Sequence, residues 1–294
     1  MAQNGLKKRG EWSRVNASEP CKICAKRDWC TRTADGKLAL CMRIKSEKEA
    51  KGGGWFHKLD DPLPVVVPKQ AKRLKDVSAV AMRMFNDTLA IGKRKRLAET
   101  LGVKEIALHS LRVGIGWDHD GREFSSWPAR DADCKIIGIT RRYDNGEKKT
   151  MAGTSNSGIF VPDRWWMQSG PVCIVEGGSD AASLVSAFVA VLGRPSNIGG
   201  AKIIAEYLRR RARGRRAIVI GENDRKADRV GTVPQCPRNC VGCAWCWPGR
   251  FGAERVAKAL RCEWRIVPPL WKDIRDWYRQ DLDFRASFAS WLQR

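Results

Sequence analysis

Two short apolar runs, each delivering acids at its end, constrain this 294-residue chain more than any other feature. The first is PVCIVEGGSD (171–180), in which Val172, Cys173, Ile174 and Val175 run without a polar break into Glu176, two glycines, a serine and Asp180. An uninterrupted apolar tetrad bounded by a Gly-Gly turn reads as a strand buried on both faces, the pattern of a parallel sheet covered by helices. Glu176 then stands at the carboxyl end of that strand, where open α/β sheets gather their ligands. Further along, AIVIGENDRK (217–226) repeats the arrangement, with Ala217 to Ile220 as the strand and Glu222 and Asp224 after it. Carboxylates brought together at one sheet edge repel and shift one another's pKa unless a cation compensates them. An all-oxygen donor set favours Mg2+ or Mn2+ over zinc. Any one of these acids could simply end a strand in solvent; the repetition of strand followed by acid points to a metal site.

The charge balance narrows the partners. Lys and Arg number 55 against 32 Asp and Glu, a formal net charge of +23. So large an excess attracts polyanions, and counterion release on phosphate neutralisation drives nucleic-acid binding. The chain has 13 tryptophans against 3 tyrosines, and those that are not core offer base-stacking faces. No apolar run is long enough to span a membrane and the first residues, MAQNGLKKRGEWSR, lack a signal-peptide centre. A cytoplasmic protein with no membrane partner is expected.

Eleven cysteines in such a chain argue for metal ligation over disulfides, and eight of them fall in two clusters. Cys21, Cys24, Cys30 and Cys41 combine a C-x2-C knuckle with two later thiols, a set that wraps one tetrahedral Zn2+ in a segment too small and polar to fold without it. Lys22, Lys26, Arg27, Arg32, Arg43 and Lys45 surround them with Trp29, a mixture suited to single-stranded template. The second cluster, Cys236, Cys240, Cys243 and Cys246, directly follows the second acidic motif. Zinc is favoured there, with an iron–sulfur cluster as the other occupant of so dense a thiolate set. Cys134, Cys173 and Cys262 stand alone in apolar settings and read as core.

Between these landmarks the rhythm is readable. DDPLPVVVPKQAKRLK (60–75) reads as an extended linker. Val80, Met84, Leu89, Leu97, Leu101, Ile106 and Leu108 recur at helical spacing with Gly92 and Gly102 as breaks, predicting two or three short helices. LRVGIGWD, REFSSWPARD, CKIIGITRRYD and the run from Lys148 to Pro162 predict strands separated by DHDG, DADC and DNGE turns. AASLVSAFVAVL (181–192) reads as a helix and PSNIGGAK (195–202) as a short strand and turn. The run RRRARGRR (209–216) ends a further helix with a basic face. A helix over 252–260 and a strand over 264–267 lead to Asp273 and Asp276, acids that suit either a metal or a helix N-terminus.

The order strand, E-G-x-x-D, strand, acid-x-D resembles the TOPRIM domain of bacterial-type primases, of type IA and II topoisomerases and of some nucleases. Its usual D-x-D is here Glu222-Asn223-Asp224. The amino-terminal module resembles the zinc-binding domain that precedes the TOPRIM core in primases, with four cysteines as in phage-type versions, so His57 is no first-choice ligand. The resemblance implies an α/β TOPRIM catalytic domain with a Rossmann-like parallel sheet, an α+β basic subdomain and an N-terminal zinc-ribbon-like domain. Its boundaries would be a zinc-binding domain over 1–59, the linker over 60–75, the basic subdomain over 76–168 and the TOPRIM domain over 169–294 with a Cys-rich insertion at 228–248.

The resemblance also implies a function: a DNA primase of phage, plasmid or mobile-element style, nucleoid-associated in a bacterial or phage-infected cell, making short RNA primers on single-stranded DNA from nucleoside triphosphates. Glu176, Asp180, Glu222 and Asp224, with Asp273, would hold Mg2+ or Mn2+. Arg141, Arg142, Lys148, Lys149 and Lys202 would hold template and nucleotide phosphates. No P-loop is present, so a separate replicative helicase is the expected partner. Two other readings use the same residues: a TOPRIM-type nuclease, and a non-catalytic single-stranded DNA-binding accessory. Topoisomerase chemistry is disfavoured because none of Tyr143, Tyr207 and Tyr278 sits in an evident strand-cleaving domain.

Overall fold

The structure, a computed structural model, describes residues 12–50, 53–59, 76–90, 92–232, 236 and 239–293; the expected linker at 60–75 lies outside them. The chain divides into two compact units, Met1–Ala71 and Lys72–Arg294.

In the first unit β1 (Trp12–Arg14), β2 (Thr31–Thr33), β3 (Leu38–Cys41) and β4 (Trp55–Lys58) form an antiparallel meander. Its buried cluster consists of Val15, Ile23 and Ala39 around Cys21, Cys24, Cys30 and Cys41. Among the described residues, three buried apolar side chains with Met42, Ile44 and Leu59 packed against them offset little of the entropy of ordering such a segment, which puts the thiols at the centre of its core.

The second unit begins with α1 (Val77–Ala90), α2 (Lys93–Leu101) and α3 (Glu105–Ser110). An antiparallel sheet follows, β5 (Gly114–Trp117), β6 (Glu123–Arg130), β7 (Ile136–Arg142) and β8 (Lys148–Thr150), in sequential order. Next comes a sheet of β9 (Val172–Glu176), β10 (Val191–Arg194), β11 (Ala217–Gly221) and β12 (Glu263–Ile266), ordered β10-β9-β11-β12 with every neighbouring pair parallel. Its crossovers and tail contain α4 (Gly177–Ser186), α5 (Ala201–Arg211), α6 (Pro248–Leu260), α7 (Ile274–Gln280) and α8 (Phe284–Gln293).

Strand alternation explains the unbroken apolar runs. Cys173, Val175, Ile218 and Ile220 pack into one core with α3, α4, α7 and α8, whereas Val172, Ile174 and Val219 pack into a second with α5 and α6. Both faces of the central strands are therefore dry, and each fully buried aliphatic side chain contributes about 1.5–3 kcal/mol.

The two sheets are joined through the backbone. Ile159 exchanges both hydrogen bonds with Arg130 of β6, at 2.8 Å each, while Phe160 exchanges both with Gly193 of β10, at 2.9 Å each. Adjacent residues of one extended segment thus pair to either side, and the antiparallel sheet is held in fixed register against the edge of the parallel one.

One expected element divides differently. The apolar stretch 181–192 is not a single helix: α4 stops at Ser186, Phe188 adopts φ 61°, and Val191–Arg194 is β10. The left-handed residue terminates the helix, and the following apolar run over 189–192 leads into β10 beside β9. PSNIGGAK is correspondingly the loop after β10 and the start of α5. Among the described residues no helix is long and apolar enough to cross a membrane.

Candidate active site and metal centres

Glu176 ends β9 and Gly177, at φ 83°, turns the chain into α4. A side chain disfavours that left-handed conformation, so the first glycine of the motif is conformational. The second is steric: a Cβ on Gly178 would lie 2.4 Å from the Trp127 ring of β6. The EGG sequence therefore lets the strand turn sharply while the antiparallel sheet closes over it. One turn into α4, Asp180 is 4 % exposed and accepts the backbone N–H of Arg275 at 3.2 Å.

Glu222 follows β11 directly, and Asp224 accepts the N–H of Gly249, in the first turn of α6, at 2.9 Å. Asp273 is the N-cap of α7 and accepts the Asp276 N–H at 2.7 Å, so its capping role is realised. All five acids therefore reach one end of the parallel sheet, three of them held by helix N-terminal amides.

The acids act on one another electrostatically. Burial pushes the Glu222 carboxyl up to about 7, with Glu176 and Asp273 adding repulsion and Lys272 opposing it. Burial raises Glu176 as well, against the attraction of Arg194 and Lys148 and with Asp224 repelling. Asp180 is driven well above the ordinary carboxylate range by burial, then by Asp273 and Glu222. The oxygens do not converge on a single point, however: among the described residues, the groups of three or more candidate ligand atoms within 4.8 Å of one another are the two tetracysteine sets and Asp118–His119–Asp120. An all-carboxylate donor set, Asp180 and Asp273 buried and Glu176, Glu222 and Asp224 half-buried, has the donor chemistry of Mg2+ or Mn2+, and Mg2+ is commonly held by only one or two carboxylates with water and substrate phosphate.

Register sorts the expected basic residues. Arg142 pairs with Lys148 across β7 and β8, and Arg141 with Lys149. Arg142 feels Arg275, Asp180 and Asp273, and burial depresses its pKa. Lys148 bears on Glu176, and its Nζ comes within 4.0 Å of the Cβ position of Gly177. This pair joins the acids. Arg141 instead covers the Phe124 and Tyr143 rings at 5.5 and 5.9 Å, and Lys149 pairs with Glu147 at 2.6 Å. Lys202 stands exposed in the first turn of α5.

Sequence reasoning missed Arg194, Lys272 and Arg275. Arg194 is fully buried, sits beside Glu176 in the β10–β9 register and is attracted to Glu176, Glu222 and Asp180. Its guanidinium donates to the Asn197 and Ile220 carbonyls, while Nε has no protein partner. Treating 191–194 as a strand would have placed it there.

In the first unit, all four Sγ atoms lie within 4.8 Å of one another, Cys24 and Cys30 being 3.7 Å apart. Tetrahedral Zn2+ with bonds of about 2.3 Å sets sulfurs about 3.8 Å apart. The N–H groups of Met42 and Ile44 point at Cys30 and Cys41 Sγ, at 3.5 and 3.3 Å, and Arg43 reaches Cys30 Sγ at 3.7 Å. His57 Nε2 meets the Ile44 carbonyl at 3.0 Å, outside the thiol set. The second tetracysteine set meets the same distance criterion, so both can hold zinc.

No protein-family model matches the sequence, and a search of curated proteins finds no match. Solved structures do. The E. coli primase catalytic core aligns with TM-score 0.50 and 12 % identity, over 73 % of this chain and 77 % of that one. A DNA primase domain from Pseudomonas aeruginosa gives 0.50 and 13 %, over 74 % and 77 %. The primase fragment of the bacteriophage T7 primase-helicase gives 0.48 and 14 %, over 95 % and 99 %. The chain has a DNA primase-type fold, as the two bacterial cores show.

Proposed function

We propose that this protein is a DNA primase that joins nucleoside triphosphates into short RNA primers on single-stranded DNA. The observation that carries the reading is the gathering of Glu176, Asp180, Glu222, Asp224 and Asp273 around the carboxyl ends of β9 and β11 and the helix starts beside them, with Arg142 and Lys148 of the antiparallel sheet acting on Asp180 and Glu176. In this reading residues 76–168 handle template and nucleotide, and 169–294 form the TOPRIM half that bears the reacting groups. A divalent Mg2+ or Mn2+ held by Glu176, Asp180, Glu222 and Asp224 would supply charge neutralisation at the reacting phosphate and lower the pKa of the attacking hydroxyl.

The chain's own residues do the remainder. Arg142 and Lys148 orient the triphosphate from the opposite wall, and the Arg194 charge opposes the burial that favours the neutral form of Glu176. Asp273 fixes the start of α7, whose Arg275 N–H positions Asp180. Zinc in Cys21, Cys24, Cys30 and Cys41 folds the first unit, which offers Trp29, 73 % exposed, to template bases.

The test is incubation with unprimed single-stranded DNA, labelled nucleoside triphosphates and Mg2+ or Mn2+. New oligonucleotides support primase, shortened DNA means a nuclease, and a mobility shift alone means a binding accessory.

A further inference from the structure

The chain leaves the acidic site at Asp224, passes through the second tetracysteine segment and returns to the same carboxylate at α6. Cys240 and Cys246 Sγ lie 3.2 Å apart, and Cys243 and Cys246 3.4 Å apart. The N–H groups of Cys243 and Cys246 point at the sulfurs of Cys240 and Cys243, at 3.3 and 3.4 Å. Such amides offset thiolate charge, as metal binding requires. The four thiols are free, and among the described residues the segment's buried cluster otherwise offers only Val230 and Trp247. Among those residues the sulfurs take the place of a core.

Backbone bonds link this cluster to Asp224 at both ends. Lys226, two residues past Asp224, donates its N–H to the Cys246 carbonyl at 2.7 Å. Trp247 donates to the Cys243 carbonyl at 2.9 Å, and Pro248 then opens α6. The next residue is Gly249, whose N–H holds Asp224 Oδ1 at 2.9 Å. The fit is close: a Cβ on Gly249 would come within 2.5 Å of the Glu222 carbonyl oxygen and 2.8 Å of Asp224 Oδ1.

We propose that Cys236, Cys240, Cys243 and Cys246 bind one structural Zn2+ that clamps the start of α6 against Asp224, so that occupancy of this thiolate site sets the affinity of the acidic site for its divalent cation. Without the ion, a long loop separates Asp224 from the amide that orients it, and its freedom opposes that bond. The cysteines are positioning residues and touch neither substrate nor the divalent ion. The inference rests on the acids being a divalent-cation site, and its test keeps the two separable.

The experiment uses the full chain. Elemental analysis should find two zinc ions per wild-type chain, one in Cys243→Ala and two in Cys243→His, since imidazole replaces thiolate at zinc. Mn2+ binding, read from the electron paramagnetic resonance signal of the free ion, should weaken about tenfold or more in Cys243→Ala, a loss of the size expected when positioning groups around a metal are removed. It should recover in Cys243→His.

If Cys243→Ala does not fold, Cys236→Ala provides a weaker three-ligand site, and its Mn2+ affinity should tighten as Zn2+ is added. Unchanged Mn2+ affinity in Cys243→Ala, no zinc dependence in Cys236→Ala, or iron in place of the second zinc would overturn the proposal. A wild-type chain that carries two zinc ions yet binds no Mn2+ would instead refute the reading of the acidic site, and this inference with it.

Discussion

Arg194 of β10 lies directly beside Glu176 of β9 in parallel register, fully buried, with its guanidinium attracted to three of the site's carboxylates. It is the buried cation beside the acids, and its charge offsets part of their mutual repulsion. Replacing it by Met removes one partner of a buried charge cluster, which costs about 3–5 kcal/mol. Urea unfolding of Arg194→Met at neutral pH should show that loss, and at pH 5 a smaller one, because protonated carboxyls no longer need the cation. Equal losses at both pH values would mean that Arg194 acts only through packing.

The raised carboxyls give the stability a pH dependence. Glu222 moves from an ordinary value of 4.5 to about 7 on folding. A group raised on folding contributes its full stability below the unfolded value and loses it as pH rises through the folded one. In buffers free of Mg2+ and Mn2+, the urea midpoint should therefore fall between about pH 4.5 and 7, and added Mg2+ should restore it at the upper end. Glu222→Gln should flatten the profile.

The β7–β8 register separates two neighbouring arginines. Arg142→Ala should raise the KM for nucleoside triphosphate about tenfold or more, since charge-assisted phosphate contacts contribute about 1.5–3 kcal/mol. Arg141→Ala should stay within a few-fold of wild type, because its side chain covers Phe124 and Tyr143. Steady-state primer synthesis on one template checks both, and equal effects would contradict the sidedness.

Trp277 is 2 % exposed, stacks on Trp271 at 4.8 Å and meets Phe284, Phe288 and Trp291 edge-on. It anchors α7, and so Asp273, against α8. Trp277→Ala should destabilise the second unit by about 3–5 kcal/mol, read as a lowered denaturation midpoint.

Much of this was visible in the sequence because the central strands obey simple physics. Strands 172–176 and 217–221 must bury both faces, so their apolar runs are continuous and the acids that follow stand out. The cysteine clusters were legible for a similar reason, since thiols so closely spaced have few other uses in such a chain. Arg194 was not legible: an apolar stretch from 181 to 192 fits a helix as well as a helix followed by a strand, and only the backbone at Phe188 decides between them. The partition of Arg141, Arg142, Lys148 and Lys149 was hidden too, because it depends on pairing register. Lys272 and Arg275 lie within the K-D-I-R-D stretch that also holds Asp273 and Asp276, but the sequence singled out only its acids, and the packing of α7 against α4 brings the two cations in.

The most direct measurement is de novo dinucleotide formation on unprimed single-stranded DNA by wild type and Glu176→Gln, with template binding followed in parallel. Loss of more than about a hundredfold in rate, the scale of removing a group that stabilises transition-state charge, with template affinity retained, is the expected result. Undiminished synthesis by Glu176→Gln, or no synthesis by a wild-type chain that binds template, zinc and Mn2+, would contradict the assignment of the acidic site as the seat of nucleotidyl transfer.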